Sequence, residues 1–130
     1  MLDGIDHVGI VVRSADEALG YWRDTLGLEV TGDEVADDPG VRLVYLGRGT
    51  TSIQLVEPVH PSSALHAWLA ERGEGLHHVC FLTDDLEAFA AGVPGGTGPL
   101  FRAGRRRRAC FLKEEPGGVV VEVTERRPSS

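Results

Sequence analysis

The chain has 130 residues, 42% of them hydrophobic and 25% charged, which suits one compact unit or two half-size repeats sharing a core and excludes a multidomain protein. Its formal charge of −7 argues against nonspecific binding to nucleic acid or to an anionic membrane surface, with the run Arg105-Arg106-Arg107-Arg108 as a local exception. No apolar run approaches the roughly 20 residues that span a bilayer. The start lacks the basic and long apolar regions of a secretory signal, and the cysteines Cys80 and Cys110 make no disulfide framework, so a reducing cytoplasm is the expected setting.

Residues 4–12, rich in Ile and Val, predict a strand bounded by Gly4 and Ser14. Ser14-Ala15-Asp16-Glu17 is a capping-box pattern. It opens a helix in which Ala15, Ala18 or Leu19, Trp22 and Leu26 recur at helical spacing, with Gly27 as the stop. From Leu28 to Val56, three strands are expected, divided by the Asp/Gly-rich stretches 32–40 and 47–50. Pro61 and Ser62 or Ser63 then open a short helix with Leu65, Trp68 and Leu69 on one face, ended by Gly73. Leu76 to Leu82 predicts another strand, followed by a helix capped near Thr83 or Asp84 with Leu86, Phe89 and Val93 on its stripe. A Pro/Gly-rich loop at 94–99 leads into three strands at 99–103, 108–115 and 118–125. The chain therefore reads as a first βαβββ module over 1–58, a connector over 59–75, a second βαβββ module over 76–125, and a frayed tail over 126–130, all in a single α+β domain.

The duplication places polar residues in register. His7 and His78 stand near the start of the first strand of each module, 71 residues apart, and Gln54 and Glu122 lie on the last strand of each, 68 apart. Each is embedded in apolar residues, and a carboxylate in such a strand is costly unless it is paired. Two imidazoles, an amide oxygen and a carboxylate form a mixed N/O set suited to divalent Zn, Mn, Co, Ni or Fe, leaving the ion at about +1 as a Lewis acid. Any one of these residues also fits a hydrogen-bonded or outward-facing structural role; their joint coincidence with the repeat favours a metal site. His77 points away from His78 by strand alternation and falls outside the ligand set, while His60 and His66 belong to the connector and are expected to be exposed.

Several segments carry a resemblance: IDHVGIVV at 5–12, the strand from Gly40 to Leu46, QLVEP at 54–58, ALHAWLAERGEGLHHV at 64–79 and GVVVEV at 118–123. Together the chain from Ile5 to Thr124 resembles the methylmalonyl-CoA epimerase family of the glyoxalase, or vicinal oxygen chelate, superfamily. The resemblance implies paired βαβββ modules forming a cupped mixed sheet around a divalent metal, and a homodimer. It places the metal ligands on His7, Gln54, His78 and Glu122, and implies a small-molecule substrate, a carboxyacyl-CoA thioester, that is enolised and epimerised between flanking acids. Glu122 is then also a base from within the metal's shell.

Two departures bear on that expectation. The family carries a glutamate, one of its proton-transfer bases, three residues beyond a Gly on the strand after the acidic loop; counting from Gly40, this position is Leu43, which cannot move a proton. Tyr45 shares that face and is a candidate donor or acid, and Glu34, Asp37 and Asp38 precede it. The stretch 94–104 also differs from the family's more apolar strand and acidic turn. The arginine run matches a basic segment of the family and suits either thioester phosphates or a solvated hairpin flank, with Arg108 expected to point toward the pocket. Leu43 leaves open a different reaction of the superfamily on a specialised metabolite, by a lyase, isomerase or dioxygenase, or a noncatalytic small-molecule-binding protein.

Overall fold

The computed structural model describes residues 2–36 and 40–127. Asp37 and Asp38, and the end of the expected tail, lie outside the described residues. The fold is mixed α+β, with eight strands and three α-helices among the described residues: β1 (Leu2–Val11), α1 (Ala15–Leu19), β2 (Val30–Ala36), β3 (Val41–Leu46), β4 (Ser52–Pro58), α2 (Leu65–Arg72), β5 (Gly75–Thr83), α3 (Leu86–Gly92), β6 (Phe101–Arg102), β7 (Arg108–Phe111) and β8 (Val120–Glu125). They group into two compact units, residues 8–77 and the described residues of 1–7 with 78–130. The division falls inside β1, so the start of the first strand groups with the second module rather than with its own.

In the unit 8–77 the strand order is β2-β3-β4-β1, with β2/β3 and β3/β4 antiparallel. Alternation sorts its side chains onto two faces. Val44, Leu46 and Leu55 pack with Val12, Ala15 and Leu19, under α1. Val41, Leu43, Tyr45 and Val56 take the other face, with Val11 and with Leu69 of α2. Ser14 caps α1 as expected, its Oγ accepting from the Glu17 N–H at 3.1 Å. The helix does not continue in α geometry to Leu26: from Gly20 to Thr25 it widens into a π-helix, with the Leu26 N–H reaching the Tyr21 carbonyl at 2.9 Å and the Thr25 hydroxyl donating to the Gly20 carbonyl. Gly27, at φ 77, then turns the chain in the left-handed region that favours glycine.

In the other unit the order is β1-β5-β8-β7-β6. Here β5 and β8 run parallel, while β8/β7 and β7/β6 are antiparallel. Leu86, Cys110 and Val123 form its core with Phe81, Phe89 and Leu112, beneath α3. The cap of α3 is Asp85, one or two residues later than expected, its carboxylate accepting from the Ala88 N–H at 3.0 Å. Thr83 instead accepts the Asp85 N–H, which fixes the entry turn. All three late strands are shorter than predicted: β6 spans only Phe101–Arg102, β7 ends at Phe111 because the Lys113 N–H turns to the Gly96 carbonyl, and Pro116–Gly118 forms a 3₁₀ turn ahead of β8. Arg126, expected in a frayed tail, donates to Asp84 and Asp3 at 2.8 and 2.7 Å. No helix among the described residues is long and apolar enough to cross a membrane.

Leu55 is fully buried at the centre of the α1 face. Leu55→Ala is expected to lower the free energy of unfolding by about 2–5 kcal/mol, read as a shifted denaturant midpoint at unchanged slope.

Candidate metal centre

Three of the four expected ligands meet within one unit. On β5 and β8 the register pairs Cys80 with Glu122, so His78, two residues before Cys80, shares Glu122's face of the sheet. The start of β1 supplies His7. His7 Nε2 lies 3.1 Å from His78 Nε2, and Glu122 Oε1 lies 3.3 Å from the first and 3.2 Å from the second. All three residues are buried, and the Phe111 ring packs edge-on to His78 at 6.0 Å.

This triangle fits a divalent cation better than it fits hydrogen bonding alone. Bonds of about 2.0–2.1 Å at angles of about 90–109° separate neighbouring ligand atoms by about 2.8–3.4 Å, which spans all three measured edges. Hydrogen bonds cannot satisfy all three, because each ring has one Nε2 site. If both rings donate to Glu122, two N–H groups oppose each other across 3.1 Å. Burial opposes ionisation of Glu122, but hydrogen bonds from His7 and His78 outweigh it and hold the carboxyl at about 2. Burial likewise opposes protonation of His7, and its hydrogen bonds to Asp6 and Glu122 outweigh that and raise it above the ordinary imidazole value. The pocket is thus electrostatically set to hold positive charge, either a proton on His7 or a metal ion.

Gln54, the fourth expected ligand, sits on β4 in the unit 8–77, buried, and opposite Tyr45 in the β3/β4 register. Its Nε2 donates to Tyr45 Oη at 2.9 Å. Leu43 is 6% exposed within the apolar cluster of Val11, Val41, Tyr45, Val56 and Leu69. Glu34 stands directly across from Leu43 on β2, hence on the same face, and is half-buried.

Arg108 is engaged otherwise than the sequence suggested. Its guanidinium pairs with Glu87 and with Glu125, at 3.1 Å for the latter, and its backbone N–H also donates to Glu125. Arg105 and Arg107 turn instead to Asp6. Asp6 was not singled out from the sequence. It accepts from His7 Nδ1 at 2.7 Å, and the only sequence signal for it is an acidic residue immediately before a strand histidine. His77 packs on Trp68 of α2 with centroids 4.6 Å apart, away from the cluster, and His60 and His66 are exposed, joined by a His66 Nε2 bond to the His60 carbonyl.

The chain is similar to known proteins in both sequence and fold. Residues 6–111 match the sequence profile of a family described as Glyoxalase/Bleomycin resistance protein/Dioxygenase superfamily. The uncharacterized protein YqjC of Bacillus subtilis is 28% identical over 95% of this chain and 93% of its own. The ethylmalonyl-CoA/methylmalonyl-CoA epimerase of Cereibacter sphaeroides is 30% identical over 68% of this chain and 66% of its own. Among solved structures, a Streptomyces coelicolor methylmalonyl-CoA epimerase, in a variant with a glutamate replaced by leucine and in complex with 2-nitronate-propionyl-CoA, superposes with a TM-score of 0.88 at 34% identity, covering 96% of this chain and 95% of that one.

Titration of the metal-free protein with Co(II) or Zn(II) is expected to show one ion per chain. Glu122→Gln and His78→Ala should each weaken binding by more than the about 10–100-fold that loss of an outer partner costs.

Proposed function

Because the chain belongs to the Glyoxalase/Bleomycin resistance protein/Dioxygenase superfamily, we propose that it is a metal-dependent isomerase that enolises a carboxyacyl-CoA thioester in the manner of the methylmalonyl-CoA epimerases. The observation that carries this reading is the buried His7, His78 and Glu122 triangle, whose edges match ligand spacing about a divalent ion. Bound by these three residues, such an ion would supply Lewis-acid stabilisation for negative charge developing on the substrate's oxygens.

The remaining work falls to the protein's own side chains. Glu122 turns Oε1 to both imidazoles, and we assign Oε2 to receive the proton from the carbon between the thioester and carboxylate. The C–H bond breaks, its electron pair moves into the enolate, and the configuration inverts when a proton reaches the same carbon on the face opposite Glu122. Tyr45, oriented by Gln54, is assigned as the hydroxyl acid on its face of the β3/β4 sheet. Arg106, exposed in the basic run, is assigned to the phosphates of the thioester, and Arg108 reaches them only by exchanging its Glu87 and Glu125 partners. The reading also carries the homodimer that the resemblance implies and the cytoplasmic setting expected from the sequence.

Leu43 favours a second reading. A leucine inside an apolar cluster supplies no base on its face, and Glu34, across from it in register, is the carboxylate that remains there. If Glu34 does not serve, proton transfer is single-sided, which suits a lyase, isomerase or dioxygenase of the same superfamily acting on a less polar substrate.

Incubating the metal-loaded protein with one enantiomer of methylmalonyl-CoA in heavy water separates the two. Deuterium incorporation with loss of handedness, slowed about 10²–10⁴-fold by Tyr45→Phe, is the expected result. Incorporation with retained handedness supports the single-sided reading, and no incorporation contradicts the epimerase proposal.

A further inference from the structure

Asp6 is a second buried carboxylate of the same unit, 5% exposed, and the metal ligation proposed above makes no use of it. Its Oδ2 accepts from His7 Nδ1 at 2.7 Å. Two guanidinium groups also reach it, Arg105 Nη2 to Oδ2 at 3.3 Å and Arg107 Nη1 to Oδ1 at 3.2 Å. The turn that delivers them is strained. Arg105 and Arg106 stand at φ 59 and 57, the left-handed region that residues with a Cβ rarely adopt, and neither position is a glycine. Arg107 Nε is in addition buried with no hydrogen-bond partner among the described residues. A chain keeps two such costs at neighbouring residues when the surroundings over-determine the conformation, and what this turn secures is the pair of guanidinium contacts to Asp6.

Asp6, His7 and Cys80 themselves lie within ligand reach of a cation. Arg105 and Arg107 already place two positive charges against Asp6, so a metal ion there would have to displace both. The carboxylate acts on His7 instead. A histidine that donates Nδ1–H to a fixed carboxylate has its tautomer and ring plane set, and presents the Nε2 lone pair in one direction.

We propose that Asp6 is the positioning residue of the metal centre, aiming His7 Nε2 at the point shared with His78 and Glu122, and that the Arg105–Arg107 turn is the clamp that keeps Asp6 in place. This rests on the reading of His7 as a metal ligand. It ties the arginine run to the site through Asp6.

The test uses the full chain, with Co(II) as the probe. Dissociation constants and visible Co(II) spectra are measured for wild type, Asp6→Ala and Asp6→Asn, beside the thermal midpoints of the metal-free proteins. Asp6→Ala is expected to weaken Co(II) binding about 10–100-fold and alter the spectrum. Asp6→Asn, whose amide oxygen still accepts from Nδ1, should recover most of the loss. A purely structural Asp6 would lower the midpoint of Asp6→Ala and leave its Co(II) affinity and spectrum as in wild type, which overturns the proposal. Should Asp6→Ala not fold, Arg105→Gln/Arg107→Gln carries the test: weakened Co(II) binding supports the clamp, and unchanged binding overturns it. Wild-type protein that takes up no Co(II) contradicts the metal reading itself and this proposal with it, whereas normal wild-type binding matched by Asp6→Ala removes only the role of Asp6.

Discussion

Glu122 lies between Val121 and Val123 on β8, and a carboxylate withdrawn from water to that depth stays ionised only where partners replace its hydration. Two imidazoles do so here, His7 of β1 and His78 of β5. The cost of burying this charge and the geometry of the site are therefore one problem with one solution. A pocket that holds a buried anion beside two imidazoles is poised for a cation, and a histidine proton is only the simplest one.

A similar arrangement recurs one shell outward. Asp6 carries a second buried negative charge, held below the usual carboxylate range: burial opposes its ionisation, and the His7 hydrogen bond with the charges of Arg105, His7 and Arg107 overcomes that. Acid, imidazole and guanidinium thus alternate from the turn at 104–106 to Glu122. Cys80, across the sheet register from Glu122, is kept a thiol by burial and by the charges of Glu122 and Asp6, so it is a filler between these anions rather than a nucleophile. In the unit 8–77, by contrast, the face bearing Gln54 and Tyr45 is largely apolar, and Leu43 accentuates this.

Much of this was legible in the sequence because the signals were periodic. Strand alternation and the 71- and 68-residue offsets isolated His7, His78, Gln54 and Glu122, and the capping box at Ser14 marked α1. What escaped depends on contacts that no local pattern encodes. The ends of β6 and β7 follow from where single N–H groups such as that of Lys113 find acceptors. The π-helix at Gly20–Thr25 follows from a shift in hydrogen-bond partner by one residue. Asp6 neighbours His7 on a strand, and simple alternation sends the two side chains to opposite faces; their 2.7 Å contact, and the roles of Arg105 and Arg107 rather than Arg108, appear only when residues about 100 positions apart are brought together. The exposed Arg106 and the paired Arg108 look alike in sequence because a run of four identical residues carries no register of its own.

X-ray absorption spectroscopy of the Zn(II)-loaded protein tests the central claim most directly. A first shell of nitrogen and oxygen at about 2.0–2.2 Å, with the multiple-scattering signature of two imidazoles, is what the convergence of His7 and His78 on Glu122 predicts. A shell without imidazole, or one containing sulfur at about 2.3 Å, would contradict it by placing the ion away from that triangle or on Cys80.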